Sequence, residues 1–280
     1  MSSIERVAIV GLGLIGGSLA RALAERDVRV MGYDSQPDSL DAAVGEGIVH
    51  ERLNAALDGI EQADVVVFAL PVDATLSSIP RVAHRLGGAR LVMDVASTKR
   101  SIVAAAEAAG LGARYVGAHP LTGSHRSGWR ASRAGLFDQA RVFLCPSSVT
   151  EPESLQLAES FWRGLRAGVQ VLDAATHDQQ MAWRSHLPHV LSVALAATLR
   201  DAGIQRSALG PGGRDMTRLA GSAPSMWTSI VEDNAVALGG ALDAVEAQLG
   251  VLRDLLHRGD SHATHEFFAN GQEWFDGTPL

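Results

Sequence analysis

The chain of 280 residues holds one cysteine, Cys145, so an internal disulfide is excluded and a reducing compartment suits it. Lysine is as scarce. Lys99 stands alone among many arginines, a bias that strips arginine abundance of much of its meaning. Positive charge is in deficit, with a formal net charge of -7, which leaves no basic footprint for nucleic acid or an anionic membrane surface. No uninterrupted apolar run is long enough to span a bilayer. The early stretch VAIVGLGLIGG has the apolarity of a secretory signal core, but it follows Glu5 and lacks a basic flank. A soluble cytoplasmic protein is expected. Apolar residues make up 46%, too many for disorder, and the length is enough for two domains.

Up to about residue 173, short apolar runs alternate with helix-like stretches. RVAIV (6–10), VRVMGYD (28–34), DVVVFALP (64–71) and RLVMDV (90–95) read as strands, several of them unbroken runs of the kind buried on both faces of a sheet. RYVGAH (114–119), RVFLCP (141–146) and VQVL (169–172) read as later strands, and LIGGSLARALA (14–24) as a helix. This alternation predicts an α/β, Rossmann-type, mostly parallel sheet domain over 1–173. The pattern then turns helical, predicting an all-helical domain over 174–280. There Leu238, Leu242, Val245, Leu249, Leu252 and Leu256 step by four and three. That seam is either an intradomain core or a dimer interface, and its spacing alone does not choose.

GLGLIG (11–16) matches G-x-G-x-x-G between a predicted strand and helix, and the second strand ends at Asp34. Gly11 is expected to make the tight turn, Gly13 to let backbone approach a pyrophosphate, and Gly16 to allow close packing. Leu14 and Ile15 open a helix whose free N–H groups and partial positive charge face the phosphates. Asp34 suits a ribose diol and repels a 2′-phosphate, and no arginine follows at Ser35 or Gln36, so NAD is favoured over NADP. Pro71 and Ser97 end the third and fourth of these strands, at the carboxyl edge where ligands of such sheets bind; Pro71 also serves as a plain strand terminator.

SHLPH (185–189) sets His186 and His189 three apart, on one helix face, with His177 and Asp178 upstream as further candidate metal ligands. Pro188 opposes that reading. It removes the hydrogen bond to the Arg184 carbonyl and clashes with it, so a kink is expected there. The kink turns His189 into an interdomain cleft and leaves His186 supporting the helix, with no metal.

GLGLIGGS together with DVASTK (94–99), GAHPLTGSHRSG (117–128), HDQQMAWRSHLPHVLS (177–192) and GRDMTRLAGSAPSMW (213–227) resembles the prephenate/arogenate dehydrogenase family of tyrosine biosynthesis, in the same order and over nearly the whole chain. The resemblance implies an NAD(P)-binding domain joined to a helical dimerisation domain, hence a homodimer with a small-molecule substrate. The implied reaction is NAD-dependent oxidative decarboxylation of prephenate to 4-hydroxyphenylpyruvate, or of arogenate to tyrosine. It further implies His119 as catalytic base, Ser97 on the substrate hydroxyl, Arg218 on a substrate carboxylate, and His189 near the substrate side chain. Arg214 falls where relatives carry lysine. His125, Arg126 and Trp129 depart from the expected pattern in what would be the outer pocket wall. No further regulatory domain is expected.

The chemistry asks for such groups on its own account. Removing hydride from a carbinol carbon is eased by a neutral imidazole that takes the hydroxyl proton, and a guanidinium matches a carboxylate with two parallel N–H groups. Duller readings stand beside these. His119 shapes a turn before proline, Ser97 caps the helix that follows, Lys99 lies on that helix's first turn, and Arg218 is a solvated surface residue. At the level of the whole chain, the alternatives are an NAD-sensing protein without catalysis and a dehydrogenase for an amino-substituted prephenate. A β-hydroxyacid dehydrogenase is disfavoured, because no lysine follows residue 99.

Overall fold

The computed structural model describes residues 4–122 and 128–277. Five parallel strands build the first part: β1 (Arg6–Val10), β2 (Arg29–Tyr33), β3 (Glu51–Arg52), β4 (Val65–Phe68) and β5 (Leu91–Asp94). β6 (Tyr115–Leu121), β7 (Arg141–Pro146) and β8 (Gly168–Val171) extend the sheet to eight strands in the order β3-β2-β1-β4-β5-β6-β7-β8. Only β7 runs antiparallel to its neighbour β6, with His119 opposite Phe143 and Gly117 opposite Cys145. A parallel return needs a crossover element, and between β6 and β7 the described chain makes only short helical turns at Trp129–Ala131 and Ala134–Phe137. Two-residue β3 is too short to leave any periodicity in the sequence.

Helices α1 (Leu14–Ala24), α2 (Pro37–Gly45), α3 (Val72–Val82), α4 (Arg100–Ala108) and α5 (Pro152–Gly164) cover the sheet. Strands VAIV and VVVF are buried on both faces because each face meets its own apolar layer. The turn after β6 packs on α1. The Trp129 ring is buried against Gly17, where a Cβ would come within 2.9 Å of it. Arg21 lies 4.2 Å above that ring, and the indole N–H donates to Glu46 at 2.9 Å. Trp129 therefore anchors the turn to the glycine-loop helix and is not an outer pocket wall. His125 and Arg126 lie outside the described residues.

Past Val171 the chain is helical: α6 (Ala174–Met181), α7 (Leu187–Asp201), α8 (Pro211–Met216), α9 (Pro224–Asp233), α10 (Ala235–Arg258) and α11 (Ser261–Phe275). Asp173 caps α6 by accepting the Thr176 N–H at 2.9 Å. The turn Ala182–His186 is π-helical and runs straight into α7, whose first turn carries Pro188. The missing proline N–H is absorbed by the widened turn instead of a broken helix. Ile230 and the partly buried Trp227 of α9 join the apolar layer on one face of the sheet, and the Ser101 hydroxyl donates to Asp233 at 2.8 Å, so helices and sheet are locked together.

The α10 seam divides. Leu238, with Leu242 and Val245, packs against Leu187, Val190 and Leu191. Further along, Leu249 and Leu256 are 60% and 64% exposed, and Phe268, Trp274 and Phe275 on α11 are exposed as well. The first half of the seam is an intradomain core, and the second half is uncovered in the single chain. By length and composition alone α10 is also long and apolar enough to cross a membrane, although Asp243 and Glu246 interrupt it.

Candidate active site

The glycine loop has the shape its sequence requires. Gly11 sits at φ +99°, and a Cβ there would meet the Ala69 carbonyl oxygen at 2.4 Å. At Gly16 a Cβ would lie 1.9 Å from the Gly11 oxygen and 2.8 Å from the Ala69 Cβ. A Cβ on Gly13 would meet nothing within 4 Å, so this is the open point of the loop, where a pyrophosphate fits against backbone. Leu14 and Ile15 form the first turn of α1, which has no side-chain cap. Asp34 accepts the Leu12 N–H at 2.6 Å and the Gln36 N–H at 2.7 Å. Its carboxylate thus braces the loop and keeps lone pairs for a ribose diol. Pro71 is exposed just past β4 and starts α3. These residues fit a dinucleotide.

At the end of β6, two strands away from β4, His119 is buried. Its Nδ1 lies 2.9 Å from Nε2 of His177, whose Nδ1 lies 2.7 Å from Oδ1 of Asp178. The two rings meet edge to face, and Phe143 stands edge-on to His177 from β7. Asp178 also accepts two backbone N–H groups at the head of α4, from Lys99 at 2.8 Å and Arg100 at 2.9 Å. Burial holds His119 well below the ordinary histidine range, helped by His177, Lys99 and His186 nearby. His177 is lowered chiefly by burial too, against the pull of Asp178.

Here two expectations need correction. Ser97 does not cap α4: the helix begins at Arg100, and Asp178, reaching over from α6, takes the orphan N–H groups. Ser97 stays half-buried on the turn after β5, free of a capping duty. Lys99 stands at the head of α4, but its side chain is fully buried and paired to Asp94, which also accepts from the Tyr115 hydroxyl at 2.5 Å and the Ala96 N–H at 2.9 Å. The Lys99 stem lies over Gly117, where a Cβ would meet it at 3.0 Å, on the β6 face that carries His119. His186 is only half satisfied. Asn234 donates to its Nδ1 at 3.1 Å, and its buried Nε2 has no partner.

His189 is buried and stacked on Trp227, ring centroids 3.4 Å apart. His177, His186 and His189 are thus turned to different partners, and no group of three metal-ligating side chains occurs among the described residues. Arg218 and Arg214 are exposed. Arg218 opens onto a groove of about 340 Å³ with Arg206, Thr217, Leu199 and Ile204, apart from the His119 cluster. Its loop is tied to α7 by the Ala220 N–H, which donates to the Ser192 hydroxyl at 3.2 Å, one turn from His189. Cys145 is a packing residue, its thiol pushed up to about 12 by burial. The sequence reading missed His177 and Asp178 as partners of His119, treating them only as candidate metal ligands. The pairing spans 58 positions, and no local pattern in the sequence signals it.

A glycine-loop dinucleotide fold carrying a buried histidine at its carboxyl edge, backed by a helical domain, defines a two-domain nicotinamide-dependent dehydrogenase. Residues 19–171 match the family model described as prephenate dehydrogenase, nucleotide-binding domain, and residues 173–270 match prephenate dehydrogenase, dimerization domain. Prephenate dehydrogenase of Bacillus subtilis is 30% identical over 99% of this chain and 76% of its own length. Among solved structures, prephenate dehydrogenase from A. aeolicus in complex with hydroxyphenyl propionate and NAD+ superposes with a TM-score of 0.90, at 29% identity over 99% of both chains. Synechocystis arogenate dehydrogenase gives 0.81, at 28% identity over 98% of this chain and 100% of its own. The chain belongs to the prephenate dehydrogenase family.

Proposed function

We propose that the chain carries out NAD-dependent oxidative decarboxylation of prephenate or arogenate, with His119 as general base. The observation that carries this reading is His119 itself: a neutral, buried imidazole at the carboxyl edge of a dinucleotide-binding sheet, hydrogen-bonded among the described residues through Nδ1 alone. NAD, when bound, accepts the hydride. His119 takes the hydroxyl proton as the carbinol carbon loses hydride, so charge does not build on that carbon. The ring carboxylate then leaves as CO₂, its bonding electrons completing the aromatic ring, which makes the step effectively irreversible. Ser97, half-buried on the turn after β5, serves the hydroxyl. The family resemblance assigns Arg218 a substrate carboxylate, although its groove is lined by no member of the His119 cluster, and sets His189 at the substrate side chain, while Arg214 has no assigned contact. Asp34 favours NAD over NADP.

We place the division between the domains at 173/174. The exposed apolar side chains of α10 and α11, on a segment matching a dimerization model, support a homodimer, and a cytoplasmic location accords with the single buried thiol. The test is purified protein with prephenate and with arogenate, each with NAD and NADP, followed at 340 nm. Reduction of NAD with one or both substrates is expected. No reduction with either overturns the reading. Arg218→Ala should raise KM for the substrate far more than it lowers kcat, and an unchanged KM removes Arg218 from the site.

A further inference from the structure

We propose that His177 and Asp178 are a positioning pair that holds His119 in the one neutral tautomer able to accept a substrate proton at Nε2. The inference rests on the reaction proposed above and deepens its site. It follows from counting hydrogens. A carboxylate only accepts, and Asp178 already accepts two backbone N–H groups, so the hydrogen in its 2.7 Å bond belongs to His177 Nδ1. His177 is neutral, because burial outweighs its acidic neighbour. Its Nε2 therefore carries a lone pair, and the only hydrogen available for the 2.9 Å bond to His119 is the one on His119 Nδ1. That leaves His119 Nε2 bare. The opposite tautomer would set two lone pairs against each other in a buried site.

The pair also answers the charge that forms. As His119 gains a proton, its bond to His177 becomes charge-assisted and strengthens. Several groups surround this bond. Lys99 and Asp94 face it from the β5–α4 turn, Asp178 from α6 and His186 from the π-helical turn, with Tyr115 and Cys145 on β6 and β7. Lys99 is the only permanent cation of the set and is neutralised by Asp94. Because Asp178 is anchored at the head of α4, the helix that follows the sheet delivers the base's partner in fixed register with the strand that bears the base.

The experiment compares the unsubstituted protein with His177→Leu and His177→Gln. Histidine ¹⁵N spectra are expected to show His119 protonated on Nδ1 and bare on Nε2, and to show mixed tautomers in His177→Leu. Steady-state kinetics should show kcat reduced about 10- to 100-fold in His177→Leu, with KM for both substrates within about threefold. The acid limb of the kcat/KM profile should move, because the replacement removes both the acceptor of the imidazolium and the ring whose nearness helps set the His119 titration. His177→Gln, which offers an amide oxygen to the same Nδ1–H, should recover part of the rate. A structural role alone would move neither tautomer nor pH limb. His119 protonated on Nε2 in the unsubstituted protein overturns the pair, whether or not the leucine variant folds. So does a His177→Leu enzyme with an unshifted limb and near-normal kcat. The spectrum needs no turnover. An inactive chain with the stated tautomer refutes the reaction alone, and an active chain with the other tautomer refutes the pair alone.

Discussion

Replacing the single lysine tests the buried charge network beneath the site. Lys99 and Asp94 are both fully buried and paired, and Asp94 spends its remaining lone pairs on Tyr115 and the Ala96 N–H. Lys99→Met keeps the volume and the apolar stem over Gly117 but strands a carboxylate with no counter-charge. Breaking a buried pair in this way costs about 3–5 kcal/mol, because the orphaned ion keeps its desolvation penalty. Against a total stability of about 5–15 kcal/mol that is a large fraction. At about 2–4 °C per kcal/mol for large domains, the melting transition should fall by on the order of 10 °C. Calorimetry and urea titration measure it. The second arm is Lys99→Met with Asp94→Asn, which removes the stranded charge and should regain much of the loss, short of full recovery because an amide cannot accept from every former donor. A single variant within about 1 kcal/mol of the parent would refute the claim that Lys99 is a desolvated partner. Reaction with an amine acylating reagent gives an independent reading: Lys99 should stay unlabelled in the folded chain and react only on unfolding.

Other outcomes follow from the same coordinates. His119→Asn should lower kcat by about 10²–10⁴-fold with NAD affinity little changed, and normal turnover would refute the base assignment. Gly13→Ala should leave the melting temperature unaltered, since the added methyl meets no neighbour, yet weaken NAD binding at least about tenfold by titration calorimetry, because the pyrophosphate needs that space. Stability should drop on acidification. His186 is lowered to about 4 by burial, so the unfolded chain binds its proton first as pH falls below about 6.5. This contribution is intact near neutral pH and is lost between those values. By pH 5 it amounts to about 2 kcal/mol for His186 alone, and His119 and His177 shift in the same direction. Urea midpoints that do not fall between pH 7.5 and pH 5 would contradict it.

Much of this was legible in the residues, and the reasons differ by element. The buried strands were visible because parallel strands covered on both faces read as unbroken apolar runs: RVAIV and RVFLCP match β1 and β7 residue for residue. Gly11 and Gly16 were legible because each answers a local backbone demand, whereas the bracing of the loop by Asp34 was not foreseen. The proline at 188 was correctly read as a disturbance, though its π-helical form depends on how α7 packs. The partners of His119 were not legible. His177 lies 58 positions away, and nothing local distinguishes an acid that caps another helix from one that faces water. The burial of Lys99 was not legible for the same reason. A lysine at the head of a helix is ordinarily solvated, and only the carboxylate of Asp94 and the bare surface of Gly117 make its burial possible.

The division of labour between sheet and helices follows from that long-range pairing. A histidine on β6 alone would be free to hold its proton on either nitrogen, and the sheet offers it no acceptor: its neighbour across the ladder is Phe143. The acceptor arrives with α6, and α6 is held in place because its Asp178 is the N-terminal cap that α4 lacks in its own sequence. Asn234, from the head of α10, grips the Asp178 carbonyl at 2.8 Å and His186 at 3.1 Å, so the segment is pinned from the far side as well. Each of these bonds satisfies a group that would otherwise be buried and unpaired. The register between the two parts of the molecule is therefore set by hydrogen-bond satisfaction, and the orientation of His119 is inherited from it. A small shift of the helices against the sheet would open the 2.9 Å contact before it opened any apolar one. That makes the histidine pair the most sensitive reporter of how the two parts are seated.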